Sequence, residues 1–183
     1  MDISSRSNNS NTSTPTNTAT TTTTTKKDPS SFTILIVDDE PDVTFVYKQV
    51  LEDAGFKVDI FNDPLAALSK LKEVYSHFPN VKQMTTTAKP TRTATTKPYD
   101  LLLLDVRMPK MNGFELYREA KKIIKKGQED REEAIKTCFI TAHEVYYEQL
   151  KEEFPKVDVG CFIKKPIHAE DLVKRIKEEL LLK

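Results

Sequence analysis

The sequence predicts an α/β fold, a doubly wound five-stranded parallel sheet with helices on both faces. Three observations predict it. Five short runs rich in Val, Ile, Leu, Phe and Thr are bounded by turn residues, as strands buried on both faces are. Between them stand segments whose apolar residues recur at three- and four-residue spacing, the period of a helix. The alternation continues from about residue 32 to residue 183, and repeated strand–helix units close into a parallel sheet through right-handed crossovers.

Phe32 to Val37 is the first apolar run, and it ends in Asp38-Asp39-Glu40. Pro41 then occupies the first position of a helix in which apolar Val43, Val46, Tyr47, Val50 and Leu51 recur at helical spacing, and Ala54-Gly55 stops it. Lys57 to Phe61 alternates as a second strand. Asp63-Pro64 is a cap and first-turn proline for a helix through Leu65, Leu68 and Leu71 to about Tyr75. The third strand is Asp100 to Asp105, four leucines delivering an aspartate, followed by Pro109 and the turn pair Asn112-Gly113. A helix from Phe114 to near Gly127, a strand from Thr137 to Thr141, a helix from His143 to about Phe154, a strand from Gly160 to Lys164 and an amphipathic helix from Ala169 to Leu182 complete the pattern.

Two segments fall outside it. Residues 1–31 are a Thr/Ser/Asn-rich tail with an unbroken threonine run from Thr20 to Thr25, and such a segment buries too little to offset its ordering entropy. Residues 79–98 hold three prolines, seven threonines and the bases Lys82, Lys89, Arg92 and Lys97 without an acid. They form a flexible basic insertion between the second helix and third strand, far longer than the usual connection of about 2–6 residues. The domain boundaries expected are therefore 1–31 for the tail and 32–183 for one folded domain.

Composition excludes several function classes. The formal net charge is +0, so no whole-chain field favours nucleic acid or an anionic membrane. No apolar run approaches the ~18 residues of a membrane span, and no apolar signal segment opens the chain. Cys138 and Cys161 lie in apolar runs without metal-ligand spacing, as buried free thiols do, which suits a reducing cytoplasm.

An open α/β sheet does its chemistry beyond the carboxyl ends of its strands. Alone, Asp105 fits a strand end or a helix cap as well as a functional group. The other strand ends weigh on the choice. They carry Asp38 and Asp39 after the first strand, Thr141 at the end of the fourth and Lys165 just past the fifth. Clustered carboxylates need a cation, and a hard-oxygen set without His or Cys points to Mg²⁺. An aspartate beside Mg²⁺ can attack phosphorus to give an acyl phosphate, with the metal and an ammonium offsetting charge on the transferring group.

These residues carry a resemblance. The Asp38-Asp39 pair, Asp105 in the run Leu101 to Gly113, Thr141-Ala142 and Lys165-Pro166, in that order and on those elements, resemble the response-regulator receiver domain, the family of the chemotaxis regulators. The resemblance covers the whole ordered region. It implies a flavodoxin-like strand order 2-1-3-4-5 and a two-component signalling role. It implies Asp105 as phosphoacceptor from a histidine kinase or phosphotransfer protein. Mg²⁺ would be held by Asp39, Asp105 and the Arg107 backbone carbonyl, with Asp38 acting through water, and Lys165 would bridge to Asp105 or its phosphate. Thr141 and Phe162 map to the switch positions, so that phosphorylation would alter the surface of the fourth helix, fifth strand and fifth helix. The reading is of a stand-alone cytoplasmic receiver, not a turnover enzyme. It would be a monomer or a phosphorylation-dependent dimer, with an unassigned downstream protein and no direct nucleic-acid or membrane binding.

The sequence departs from the family pattern in places. Asn112-Gly113 replaces the frequent Asp-Gly. Arg107 and His143, each two residues past a site residue, occupy positions that influence phosphate lifetime in the family. Two other readings compete with the phosphoacceptor. A phosphorylation-independent adaptor does not need the full set of five positions. An aspartate-nucleophile phosphatase of the haloacid-dehalogenase type needs an Asp-x-Asp motif, whereas Asp38 and Asp39 are adjacent.

Overall fold

A computed structural model describes residues 28–76, 99–127, 135–142, 152 and 161–181. The tail up to residue 27, the insertion at 79–98, and His143 with most of the helix expected after it lie outside the described residues. Five strands, β1 (Thr33–Val37), β2 (Lys57–Phe61), β3 (Leu101–Asp105), β4 (Lys136–Thr141) and β5 (Cys161–Lys164), pair in parallel in the order β2-β1-β3-β4-β5. Helices α1 (Pro41–Asp53), α2 (Pro64–Ser76), α3 (Gly113–Gly127) and α4 (Ala169–Leu181) flank it. This is the doubly wound, flavodoxin-like sheet expected from the sequence. The C-terminal helix expected as the fifth is α4 in this numbering.

Side chains alternate along each strand, so the sheet has two apolar faces. Leu35, Val37, Leu102, Leu104 and Phe139 meet α2 and α3 through Leu71, Leu116 and Ala120. Ile34, Ile36, Leu101, Leu103 and Ile163 meet α1 and α4 through Leu51, Leu172 and Ile176. The four leucines of β3 are each at most 1% exposed, and each contributes roughly 2 kcal/mol by leaving water. That burial fixes the central strand, and with it the height at which Asp105 emerges.

One boundary differs from expectation. Pro29–Ser31, assigned to the tail by composition, form a 3₁₀ turn. The Asp28 carboxylate caps it by accepting from the Ser30 N–H at 2.9 Å. Phe32, just after it, is buried against the α1 and α4 face, so the turn closes over the core edge.

Candidate functional site

Strand register sets the site. Val37 pairs with Leu104, and one step further along both strands places Asp38 beside Asp105. Asp105 in turn pairs with Ile140, whose neighbour Thr141 pairs with Lys164. Beyond the strands, the Val106 N–H donates to the Ile140 carbonyl at 3.0 Å, and the Lys165 N–H donates to the Thr141 carbonyl at 2.8 Å. Asp38, Asp105, Thr141 and Lys165 are thus held at one edge by backbone pairing. Asp39 stands beside them, and one oxygen each of Asp38, Asp39 and Asp105 lie within 4.8 Å of one another.

Asp38 is fully buried, and Asp105 and Thr141 nearly so. Lys165 is the shared cation. Its Nζ lies 2.7 Å from Asp38 Oδ2, 2.9 Å from Asp105 Oδ1 and 3.3 Å from Glu40 Oε1. The other Asp105 oxygen, Oδ2, accepts from the Arg107 N–H at 2.7 Å. Burial pushes the Asp105 carboxyl above its ordinary range; Lys165 pulls it down, and the Asp38 charge pushes it up again. Burial alone would lower the Lys165 ammonium, but its hydrogen bonds to Asp38 and Asp105 outweigh that and raise it.

Three ionised aspartates and one ammonium leave a formal charge of −2, from three negative groups and one positive. All the donors are hard carboxylate oxygens, and Asp39 keeps part of its surface in water. That set fits a hydrated hard dication such as Mg²⁺, which takes only a few carboxylates and retains water. Asp38, Asp39 and Asp105 each offer an oxygen that could hold it, and Lys165 engages one oxygen of Asp38 and one of Asp105.

Three supports lie beyond the site residues that the sequence predicts. Asn62 donates through Nδ2 to the Asp38 carbonyl at 2.8 Å and to Thr44 Oγ1 at 2.9 Å, tying the first loop to α1. Glu40 reaches Lys165, 125 residues away in the chain. Gly113 is more than a turn residue. A Cβ there would lie 2.2 Å from the Asp105 backbone oxygen, so only glycine lets α3 start this close to β3. Asn112 caps that start, its Oδ1 accepting from the Phe114 and Glu115 N–H groups. The Asn112-Gly113 pair could have signalled the cap, but not the close approach.

Phe162 is half-buried, and its ring stacks on Phe139 with centroids 5.6 Å apart. Phe139 also meets Phe114 and Tyr117 edge-on. Phe162 is therefore linked through aromatic contacts to α3.

A family model described as the response regulator receiver domain matches residues 73–177, more than half the chain. The chain belongs to the response regulator receiver domain family. The response regulator receiver protein CpdR of Brucella abortus is 27% identical over 148 residues, covering 81% of this chain and 96% of that protein. The transcriptional regulatory protein CpxR homolog of Haemophilus influenzae is 34% identical over 90 residues, and the match spans 49% of this chain but only 29% of that relative. Among solved structures, the chemotaxis protein CheY4 of Vibrio cholerae superposes with a TM-score of 0.58 at 21% identity, covering 82% of this chain and 98% of that one. A CheY-like receiver domain protein from Methanospirillum hungatei gives 0.57 at 25% identity, covering 81% and 93%. Receiver domains are signalling modules of two-component systems that work with histidine kinases or phosphotransfer proteins, and this receiver has the acidic pocket at which such domains bind Mg²⁺. No helix among the described residues is long and apolar enough to cross a membrane.

Proposed function

We propose that this receiver accepts a phosphoryl group on Asp105 from a phosphohistidine of a histidine kinase or phosphotransfer protein. The observation that carries the reading is the Asp105 carboxylate, buried yet held between the Lys165 ammonium and the Arg107 N–H at the carboxyl edge of the sheet. In the transfer, a carboxylate oxygen of Asp105 bonds to phosphorus as the bond from phosphorus to the donor imidazole nitrogen breaks. Lys165 is already within contact of Asp105 and offsets negative charge there without moving far. Mg²⁺, held by Asp39, Asp105 and the Arg107 carbonyl with Asp38 through water, would supply charge neutralisation on the phosphoryl oxygens. Thr141, beside Lys164 in register, would donate a hydrogen bond to a phosphoryl oxygen. The added charge of about −1.5 to −2 then favours a second packing in which Thr141 moves inward and Phe162 turns on Phe139.

The donor's approach has a matching surface. Phe45 and Val46 of α1 and Leu65 of α2 are the large apolar side chains left exposed among the described residues, at 59%, 54% and 46%. Both helices begin at the sheet edge that carries Asp105. An apolar helix face presenting the phosphohistidine would cover them.

Incubation with acetyl phosphate and Mg²⁺ followed by intact mass tests the reading. One phosphoryl adduct on the wild type, absent from Asp105→Ala, is expected. No adduct on a folded wild type would instead leave a phosphorylation-independent adaptor, and steady release of phosphate from small phosphomonoesters would indicate a phosphatase.

A further inference from the structure

Cys138 and Cys161 are the chain's two cysteines. They lie 23 positions apart in sequence, since 161 − 138 = 23, yet they are direct partners in the β4–β5 register. Both are fully buried on the α1 and α4 face of the sheet. Adjacent strands run about 4.8 Å apart, inside the Cα separation of roughly 4.4–6.8 Å that a disulfide spans. The two thiols are hydrogen-bonded to each other, and Arg175 of α4 hydrogen-bonds to the Cys161 sulfur. The Arg175 side chain is 40% exposed and so connects this sulfur to solvent. A surface cavity of about 280 Å³, lined by Phe162, Ile163, Lys174 and Arg175, adjoins the same guanidinium. The phosphoacceptor chemistry uses neither cysteine nor Arg175.

We propose that Cys161 and Cys138 are a peroxide-oxidisable dithiol, with Cys161 the attacking thiolate, Cys138 the resolving thiol and Arg175 the cation that activates the pair. The Cys138 hydrogen bond lowers the Cys161 thiol despite burial, with help from Arg175, whereas burial pushes Cys138 up. The solvent-reaching Arg175 side chain stands against Cys161, which makes that sulfur the attacking one and leaves Cys138, its partner across the strands, to resolve it. The Cys161 thiolate attacks a hydroperoxide oxygen; an S–O bond forms, the O–O bond breaks, and the departing alkoxide or hydroxide takes a proton. Cys138 then attacks the Cys161 sulfenic acid; the S–S bond forms, the S–O bond breaks, and water leaves with the Cys138 proton. In sum two thiols and one hydroperoxide give one disulfide, one alcohol or water, and one water. The two electrons lost by sulfur reduce the peroxide. The link would pin β4 to β5 one residue before Phe162 and three before Thr141.

The full chain treated with a small excess of hydrogen peroxide and weighed intact tests this. With no other cysteine present, an intramolecular disulfide has one possible pairing. The expected result is a monomer lighter by two hydrogens, about 2 Da, restored by dithiothreitol. In Cys138→Ala the expected product is a sulfenic acid at Cys161, trapped by dimedone. Arg175→Met, checked for folding by circular dichroism, is expected to oxidise about tenfold more slowly. Unchanged mass, disulfide-linked dimers alone, or oxygen added to the wild type without loss of hydrogen would overturn the dithiol. Equal oxidation rates in Arg175→Met and wild type would overturn the role of the guanidinium.

Discussion

Lys165 Nζ lies 2.9 Å from Asp105 Oδ1 and answers for two buried carboxylates at once, since Asp38 Oδ2 is 2.7 Å from the same nitrogen. Breaking a buried pair by removing one partner costs roughly 3–5 kcal/mol, because the remaining charge is left uncompensated. Lys165→Met is therefore expected to lose about that much stability in urea titrations without divalent ions. Mg²⁺ should restore part of it by binding only the folded site. Lys165 itself contributes no pH dependence near neutrality. Its raised folded value means its stabilisation is fully present below the ordinary lysine range and is lost only as pH rises beyond it.

Asp105 gives the opposite pH behaviour. Its folded-state value is raised above 3.8, chiefly by burial, so the native state binds the proton before the unfolded state does. The ionised carboxylate then costs stability at neutral pH, and the cost is lifted as pH falls through the raised value towards 3.8. Asp105→Asn is expected to be more stable than the wild type at pH ~7 without metal, with the gap narrowing towards pH ~4. Urea midpoints across that range check this. A gap that widens as pH falls would contradict it.

Gly113→Ala forces a Cβ to within 2.2 Å of the Asp105 carbonyl oxygen. Backbone must shift on β3 or α3, because the obstructing atom is not a flexible side chain. The expected cost is about 2–3 kcal/mol in chemical denaturation. Labelling by acetyl phosphate should slow too, since the displaced backbone carries Asp105.

Phe45→Ala separates docking from chemistry. Phe45 is 59% exposed on α1 and belongs to neither core cluster, so the fold should lose under about 0.5 kcal/mol. Transfer from a phosphorylated histidine protein is expected to fall by about tenfold, the scale of one truncated interface aromatic. Labelling by acetyl phosphate should not change. Equal loss with both donors would place the effect in the pocket instead of the interface.

The parallel sheet and the five strand-end positions were legible because buried parallel strands are near-continuous apolar runs, whereas the strand order 2-1-3-4-5 followed from the family resemblance alone. Leu101 to Leu104 announced β3, and Asp105, Thr141 and Lys165 were then located by counting from strand ends. The supporting contacts were not legible. Asn62 reaches the Asp38 carbonyl across 24 residues, and Glu40 reaches Lys165 across 125. Neither belongs to any period, since one polar contact between loops leaves no pattern in sequence. The Cys138–Cys161 juxtaposition was hidden for a related reason. Spacing alone does not fix the register between two strands; the pairing of Phe139 with Phe162 does. Pro29–Ser31 looked like tail because their polar composition hid the cap from Asp28.

The most direct test is to locate the acyl phosphate chemically. The full chain is labelled with acetyl phosphate and Mg²⁺, reduced with borohydride, digested and sequenced by mass spectrometry. Borohydride converts an aspartyl phosphate to homoserine at the phosphorylated position. The account predicts homoserine at residue 105 and nowhere else. Homoserine at residue 38 or 39, or an adduct on a residue other than aspartate, would contradict it.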